Sequence, residues 1–594
     1  MKKILFFSFA IFTIAACKLS NTNPGKEANK ELFALLNNYY EDRLKLFPLE
    51  GTGIGDNRYN NLLPIDFTDS YRDTLKSFYN RYRIYVSQYD RENLSDQDKL
   101  SYDVFKREME INLKGLEFHE NYIPFQQFWG LPLTMGQLGS GEGNQPFKTV
   151  KDYEDWLARA SKFPAWADSS IIYFRKGIAA SYVLPKALVL KMLPEMEAMQ
   201  VKADTASLFY GPVKKFPADF SDADKNRLTA AYTSLIHNHL IPAYKKLGDF
   251  LLAEYLPKAR TSSGISALAN GQAYYQYLIN TQTTTNKTSD KIYQIGLHEV
   301  ERISRLQDSV KNAVSFKGDM QAFFEYMKND KQFMPFKTPQ QVLAAFEKIH
   351  QTIEPNLKKA FNHIPKTPFE IRQTEAFRAA SASAEYNQGS PDGSRPGIFY
   401  VPILDATTFN ATSGMESLFL HEAIPGHHYQ ISLQQEDTLL PKFRRFGGNN
   451  AYIEGWALYC EALGKELGLY TDPYQYMAAL GDEIHRAIRL VVDVGLHTKN
   501  MTREEAIKYM MSHEAANEQY ATMEIERYMA IPGQALGYKI GALKIAELRN
   551  KYRKELGSKF NLAAFHDNIL GDGALPLEVL ERKMDEWSQK QKMK

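Results

Sequence analysis

The chain has 594 residues and a formal net charge of +2, with 44% hydrophobic and 24% charged residues. Such a length supplies a large core and more than one lobe, and the composition is that of a soluble globular protein. A charge so close to zero excludes nucleic acid as a bulk electrostatic partner, and nothing in the composition implies a protein partner.

Residues 1–17 read as a secretory signal. Lys2 and Lys3 precede an apolar run from Ile4 to Ile14, followed by Ala15-Ala16-Cys17. The Ile14-Ala15-Ala16-Cys17 box resembles the bacterial lipoprotein cleavage box. The expectation is that residues 1–16 are removed and that Cys17 is lipidated. Residues 17–29 then form a tether, rich in Asn, Ser, Pro and Gly. The mature protein is expected to be lipid-anchored to the bacterial cell envelope, at the outer membrane, on its periplasmic or surface face. Only one other cysteine exists, Cys460. A lipidated Cys17 therefore leaves no disulfide, and Cys460 reads as a small core residue in an apolar helical pattern.

From Glu27 onward the pattern is helical, with Leu32, Leu35, Leu36, Tyr39 and Tyr40 on one face. Residues 47–64 read as a Gly-rich turn region and 71–89 as a helix. Residues 121–147, with five glycines and three prolines, read as a long irregular segment that either covers a cleft or runs over the surface. Residues 150–199 read as two or three helices split near Pro164 and Pro185. Residues 221–256, 289–314 and 338–361 read as amphipathic helices. His298-Glu299 has no second ligand at the right spacing and reads as a solvated helix face. The one clear β signal is 397–403. Its Pro402 points to an edge strand, and edge strands bind extended peptides by main-chain pairing. That makes Tyr400 a candidate substrate contact.

The richest chemistry lies at Leu420-His421-Glu422-Ala423-Ile424-Pro425-Gly426-His427-His428. Imidazoles and a carboxylate are the ligand set that Zn²⁺ prefers. A glutamate that does not bind the metal can take the proton from water. The familiar spacing puts two histidines at i and i+4. Here i+4 is Pro425, and the next histidines fall at i+6 and i+7. On a straight helix i+7 lies roughly 10 Å along the axis, too far for two zinc ligands. The helix is therefore expected to break at Pro425-Gly426, with either His427 or His428 as the second ligand.

Further on, Glu454 and Glu461 lie seven apart on one face of an apolar helix. Buried carboxylates need a cation. Glu454 suits a third zinc ligand, and Glu461 a partner that holds a histidine. Arg486, Arg489, Asp493 and His497 form one polar stripe in an apolar helix. They read as the wall of a polar cavity or as a structural ion-pair network, with Asp493 behind the site. Thr502 and Glu505 form a capping box. Arg489 and Arg527 are candidates for holding a substrate carboxylate, and Gln534 is a further candidate substrate contact.

Several motifs together resemble the bacterial domain-of-unknown-function family numbered 885. They are His421-Glu422-x-x-Pro425-Gly426-His427-His428-x-Gln430, Tyr452-x-Glu454-Gly455-Trp456, Val492-Asp493-x-Gly495-Leu496-His497, Pro532-Gly533-Gln534-Ala535 and Asp392-Gly393-Ser394-Arg395-Pro396-Gly397. That family is grouped with gluzincin-type zinc peptidases, similar to thimet oligopeptidase, angiotensin-converting enzyme and thermostable carboxypeptidases. The resemblance implies a mainly α, multi-helix fold with two helical lobes around a deep cleft and at most a small sheet. The expected boundary separates a lobe of residues 30–290 from a zinc-site lobe of 291–594. The resemblance favours His421, His427 and Glu454 as ligands, since a Gly precedes the second zinc His in those relatives. It makes Tyr538 the oxyanion donor; on the residues themselves Glu422 reads as the general base and His497 as a further oxyanion candidate. The reading is a zinc peptidase acting on short peptides. A zinc hydrolase of another amide or ester, and an inactive peptide-binding lipoprotein, are the competing readings.

Overall fold

Polar residues in front of the apolar-periodic runs start the helices. The structure is a computed structural model that describes residues 27–374, 383–390, 393 and 395–593. Cys17, the signal segment, Asp392 and Ser394 lie outside the described residues. Asn29, Thr68 and Ser95 each accept a backbone N–H from the first turn of the helix that follows: α1 (Lys30–Leu46), α2 (Asp69–Val86) and α3 (Asp96–Gly115). Leu36, Tyr39, Phe78, Tyr82 and Phe105 from these helices form their own core, closed by Phe443 from far along the chain.

Residues 47–64 are not all turn, because Pro48 starts a short helix, Pro48–Gly53. Nor is 121–147 irregular throughout. Pro132 sits in the first turn of α4 (Leu131–Gly139), where a proline is tolerated. The next segments follow the expected divisions: α5 (Val150–Ala160), α6 (Phe163–Ala179) and α7 (Lys186–Ala198). Then come α8 (Asp222–Leu235), α9 (Ile241–Phe250), α10 (Gly271–Thr283), α11 (Ser289–Ala313) and α12 (Pro339–Ala360).

The sheet has three strands, β1 (Phe369–Gln373), β2 (Glu385–Asn387) and β3 (Gly397–Val401), in the order β1-β3-β2. The edge-strand expectation for β3 is therefore wrong. It is central, parallel to β1 and antiparallel to β2. Pro402 lies just past the last paired residue, Val401, so it removes no ladder hydrogen bond. Phe399 packs on Phe346 and Phe419. Tyr400, next in the strand, faces the opposite side of the sheet, in register with Arg372 and Glu385.

The last third carries the site: α13 (Met415–Glu422), α14 (His427–Glu436), α15 (Asn450–Ala462), α16 (Pro473–Thr498), α17 (Arg503–His513), α18 (Glu518–Ala530) and α19 (Leu536–Leu556). The Thr502–Glu505 capping box is present. The long α16 is apolar on several faces and feeds two cores. Ile488 and Val491 join Trp156 and Tyr244, while Leu490 and Val494 join Phe419 and Trp456. Tyr275 and Ile279 of α10 also belong to the second core, so packing crosses the expected boundary at residue 290. α15 and α19 meet at backbone contact, since a Cβ on Gly455 would lie 2.5 Å from Gly541 Cα. The described chain is mainly α with one small sheet. No helix among the described residues is long and apolar enough to cross a membrane.

Candidate metal centre

α13 stops at Glu422 and α14 starts at His427. Between them the Ile424–Pro425 peptide is cis. The chain folds back so tightly that a Cβ on Gly426 would lie 1.9 Å from the His421 carbonyl oxygen and 2.3 Å from that of Leu420. Only glycine fits there. The Trp456 indole N–H donates to the Pro425 carbonyl at 2.8 Å and fastens the turn to α15. This break brings His427 beside His421, with ring centroids 4.8 Å apart and planes nearly perpendicular.

His421, His427 and Glu454 offer one ligand atom each, all within 4.8 Å of one another. Glu454 Oε2 is 3.5 Å from Nε2 of both histidines. Tetrahedral ligands at about 2.0–2.2 Å from a zinc are about 3.4 Å apart, so the donor set fits a three-residue metal site. Behind it, His421 Nδ1 lies 2.7 Å from Glu461 Oε1. With that nitrogen donating, Nε2 keeps its lone pair toward Glu454 and His427. Burial alone would depress the His421 imidazole, yet Glu454 and Glu461 hold it well above its ordinary range. Burial alone would likewise raise the Glu454 carboxyl, yet the two imidazoles hold it well below the usual carboxylate range. Glu454 and Glu461 thus set two carboxylates against the imidazole of His421.

His428 does not join the cluster. It is buried, with Nδ1 3.0 Å from the Tyr386 hydroxyl and its ring against Phe369. It fastens β2 and β1 to α14 instead. Glu422 follows His421 directly, is half-buried, and forms no hydrogen bond or ion pair within the described residues. Tyr538 opens α19, and the Arg489 guanidinium lies 4.8 Å from its ring centroid. The Tyr538 hydroxyl makes no hydrogen bond within the described residues.

Other expected site residues are placed differently. His497 is fully buried, Nδ1 accepts the Ile265 N–H at 3.1 Å and Nε2 donates to the Tyr528 carbonyl at 3.0 Å. Burial pushes its pKa down to about 3. With both nitrogens occupied by backbone, it has no donor to offer an oxyanion. Among the described residues Asp493 forms no hydrogen bond or ion pair with the three clustered residues. It accepts the Tyr275 hydroxyl and the Gly533 N–H, and burial pushes its pKa up to about 7. Arg489 donates to the Tyr528 hydroxyl and to Glu524, both at 3.0 Å. Arg527 donates to Gln534 Oε1 at 2.9 Å and lies over Phe128. The polar stripe of α16 is thus a hydrogen-bonded network, ionic where Arg486 and Arg489 meet Asp482 and Glu524. Glu299, read as solvated, belongs to a similar one with Lys539 at 3.0 Å and Arg302 at 2.8 Å.

Sequence reasoning missed Trp456 and Tyr386, and it left Arg486 without a partner. Arg486 lies 3.9 Å from Glu461 Oε1, so it steadies the carboxylate behind His421. The run Glu-Gly-Trp after the histidines was the available signal for Trp456, since an indole in an apolar helix needs an acceptor. Two adjoining cavities, of about 690 and 300 Å³, share Gln388 and residues 446–450. The smaller is walled by Gln430, three residues past His427, and by Ile453, next to Glu454.

Comparisons with known proteins agree with this fold. A solved structure described as "the putative lipoprotein from Colwellia psychrerythraea" is 28% identical, with TM-score 0.85, and the match covers 94% of this chain and 99% of that one. One described as "a putative lipoprotein of unknown function from Shewanella oneidensis" is 19% identical, with TM-score 0.73, over 93% and 99%. No curated protein matches the sequence. The family model described as "Bacterial protein of unknown function (DUF885)" matches residues 48–584, and the chain belongs to that family.

Proposed function

We propose that the protein is a zinc-dependent hydrolase that cleaves peptide bonds of short peptides outside the cytoplasm. The observation that carries this reading is the convergence of His421, His427 and Glu454, with Glu422 adjacent in sequence and Glu461 behind His421. Zinc bound there supplies Lewis acidity and lowers the pKa of water. Glu422 takes a proton from the attacking water and delivers it to the leaving amine. Tyr538 offers its hydroxyl to the oxyanion that forms on the substrate carbonyl, with Arg489 over its ring fixing its direction. Arg527 of α18 and Gln534 of the turn before α19, joined to each other, are substrate contacts.

Among the described residues β2 is an outer strand of the sheet, and it leads toward the cavities. Gln388, directly after it, lines both cavities. A lipid anchor at Cys17 in the cell envelope rests on the Ile14-Ala15-Ala16-Cys17 box and on the description of both relatives as lipoproteins.

The test incubates zinc-loaded protein with a mixed peptide library, with and without chelator, and reads the products by mass spectrometry. Chelator-sensitive peptide cleavage is the expected result. Intact peptides in both arms refute the reading, and cleavage of other amides or esters added to the library would replace it with a broader hydrolase.

A further inference from the structure

The larger cavity, about 690 Å³, has the size of a ligand site and an uneven charge balance. Arg43, Arg107 and Arg444 line it against two carboxylates, Glu50 and Glu108. Arg43 is taken up by Glu50, in a two-pronged pair at 2.6 and 2.9 Å. Glu108 accepts the Tyr39 hydroxyl at 2.6 Å. Arg107 has no carboxylate at ion-pair distance among the described residues, and its Nη2 donates to the Asn280 carbonyl at 2.7 Å. Arg444 is 3% exposed and reaches Ser101 Oγ and the Asp572 carbonyl, but its Nε is buried without a partner. Burial pushes both guanidiniums below their ordinary range. Desolvated cations of this kind are relieved by an anion in the same space.

The cavity and the metal centre share α15. Asn450 in its wall lies one helical turn before Glu454, about 6 Å along the axis of α15. A chain that leaves the cluster along α15 toward Asn450 would enter this space. We infer that the cavity is a carboxylate subsite, resting on the peptide-hydrolase reading, in which Arg107 recognises the anionic end of a short peptide. Arg444, locked by its own partners, adds charge without moving. The carboxylate comes from the peptide's C-terminus or from an acidic side chain near it.

The experiment uses zinc-loaded protein carrying Glu422→Gln, so that peptides stay intact, and measures binding by calorimetry. The probes are Ala-Ala-Phe, its C-terminal amide, and the amide of Ala-Ala-Glu. A hydrogen bond to a charged group implies that a carboxylate probe binds about 10- to 100-fold tighter than Ala-Ala-Phe amide. Tight Ala-Ala-Phe assigns the terminal carboxylate, and tight Ala-Ala-Glu amide the side chain. Adding Arg107→Gln should shrink that ratio to within about twofold, and Arg107→Lys should restore part of it. Arg107→Met, which keeps the apolar stem, serves if the Gln variant does not fold. Equal binding of all three probes, or a ratio that survives loss of Arg107, overturns the inference. Absence of hydrolysis by the unmodified protein would refute the peptidase reading alone, since the binding ratio is read without turnover.

Discussion

Replacing Gly426 by alanine tests the geometry on which the metal centre depends. The new methyl would lie 1.9 Å from the His421 carbonyl oxygen, while real Cβ contacts essentially never fall below 3.0 Å. The chain must retreat by about 1.1 Å, and the obstacle is backbone, so no rotamer relieves it. Overpacking of this kind costs about 1–3 kcal/mol, which a chain this large survives. The metal site does not, because ligand distances hold to about ±0.2 Å and the retreat separates His427 from His421. Zinc affinity should fall more than about 100-fold, beyond the 10–100-fold typical of losing a group that only orients a ligand. Competition against a chromophoric chelator measures this, with circular dichroism confirming the fold. Gly481→Ala is the control, since a Cβ there meets nothing within 4 Å. Affinity of Gly426→Ala within about threefold of the original would refute the reasoning.

Four further outcomes are expected. His427→Ala should abolish zinc binding while His428→Ala keeps most of the metal, by elemental analysis of the purified variants; stoichiometric zinc in His427→Ala would remove it from the site. Glu422→Gln should retain zinc and fold but lose about 10²–10⁴-fold in hydrolysis, and loss of zinc there would make Glu422 a ligand. His497 is neutral when folded, with its pKa pushed down to about 3 against about 6.5 unfolded. The unfolded chain therefore takes up its proton first, and this residue's stability contribution, full above about pH 6.5, falls by about 1.4 kcal/mol per unit as pH drops toward 3. Denaturant unfolding of His497→Gln between pH 6.5 and 4.5 should show a slope shallower by about one proton, and equal slopes would contradict it. Cys17→Ser should move the protein from the detergent phase to the aqueous phase, and unchanged partitioning would rule out the anchor.

Much of this architecture was legible in the sequence because it is written locally. Pro164 and Pro185 divide helices, Thr502 and Glu505 cap one, and Pro425-Gly426 forces the break that two histidines at i+6 and i+7 demand. Glu461 was legible because a carboxylate on an apolar face must find a cation. What failed was non-local. Pro402 looked like the mark of an edge strand, but strand order depends on β1 and β2, which carry weak patterns. His497 looked poised for chemistry because the residues that occupy its nitrogens, Ile265 and Tyr528, lie far away in sequence. Glu299 looked solvated because Lys539, its partner, is distant in the chain. A periodic pattern shows which face of a helix is polar, but only the tertiary contact shows whether water or an opposite charge meets it.

The seam between Gly455 and Gly541 has a mechanical consequence. With no side chain on either surface, the two helices touch backbone to backbone and cannot slide past one another without collision. Glu454 sits one residue before the seam and Tyr538 three before it on the other helix. These two groups therefore travel as one rigid piece. Across the larger cavity from this piece stand α1 and α3, which carry Arg43 and Arg107 and whose core Phe443 closes.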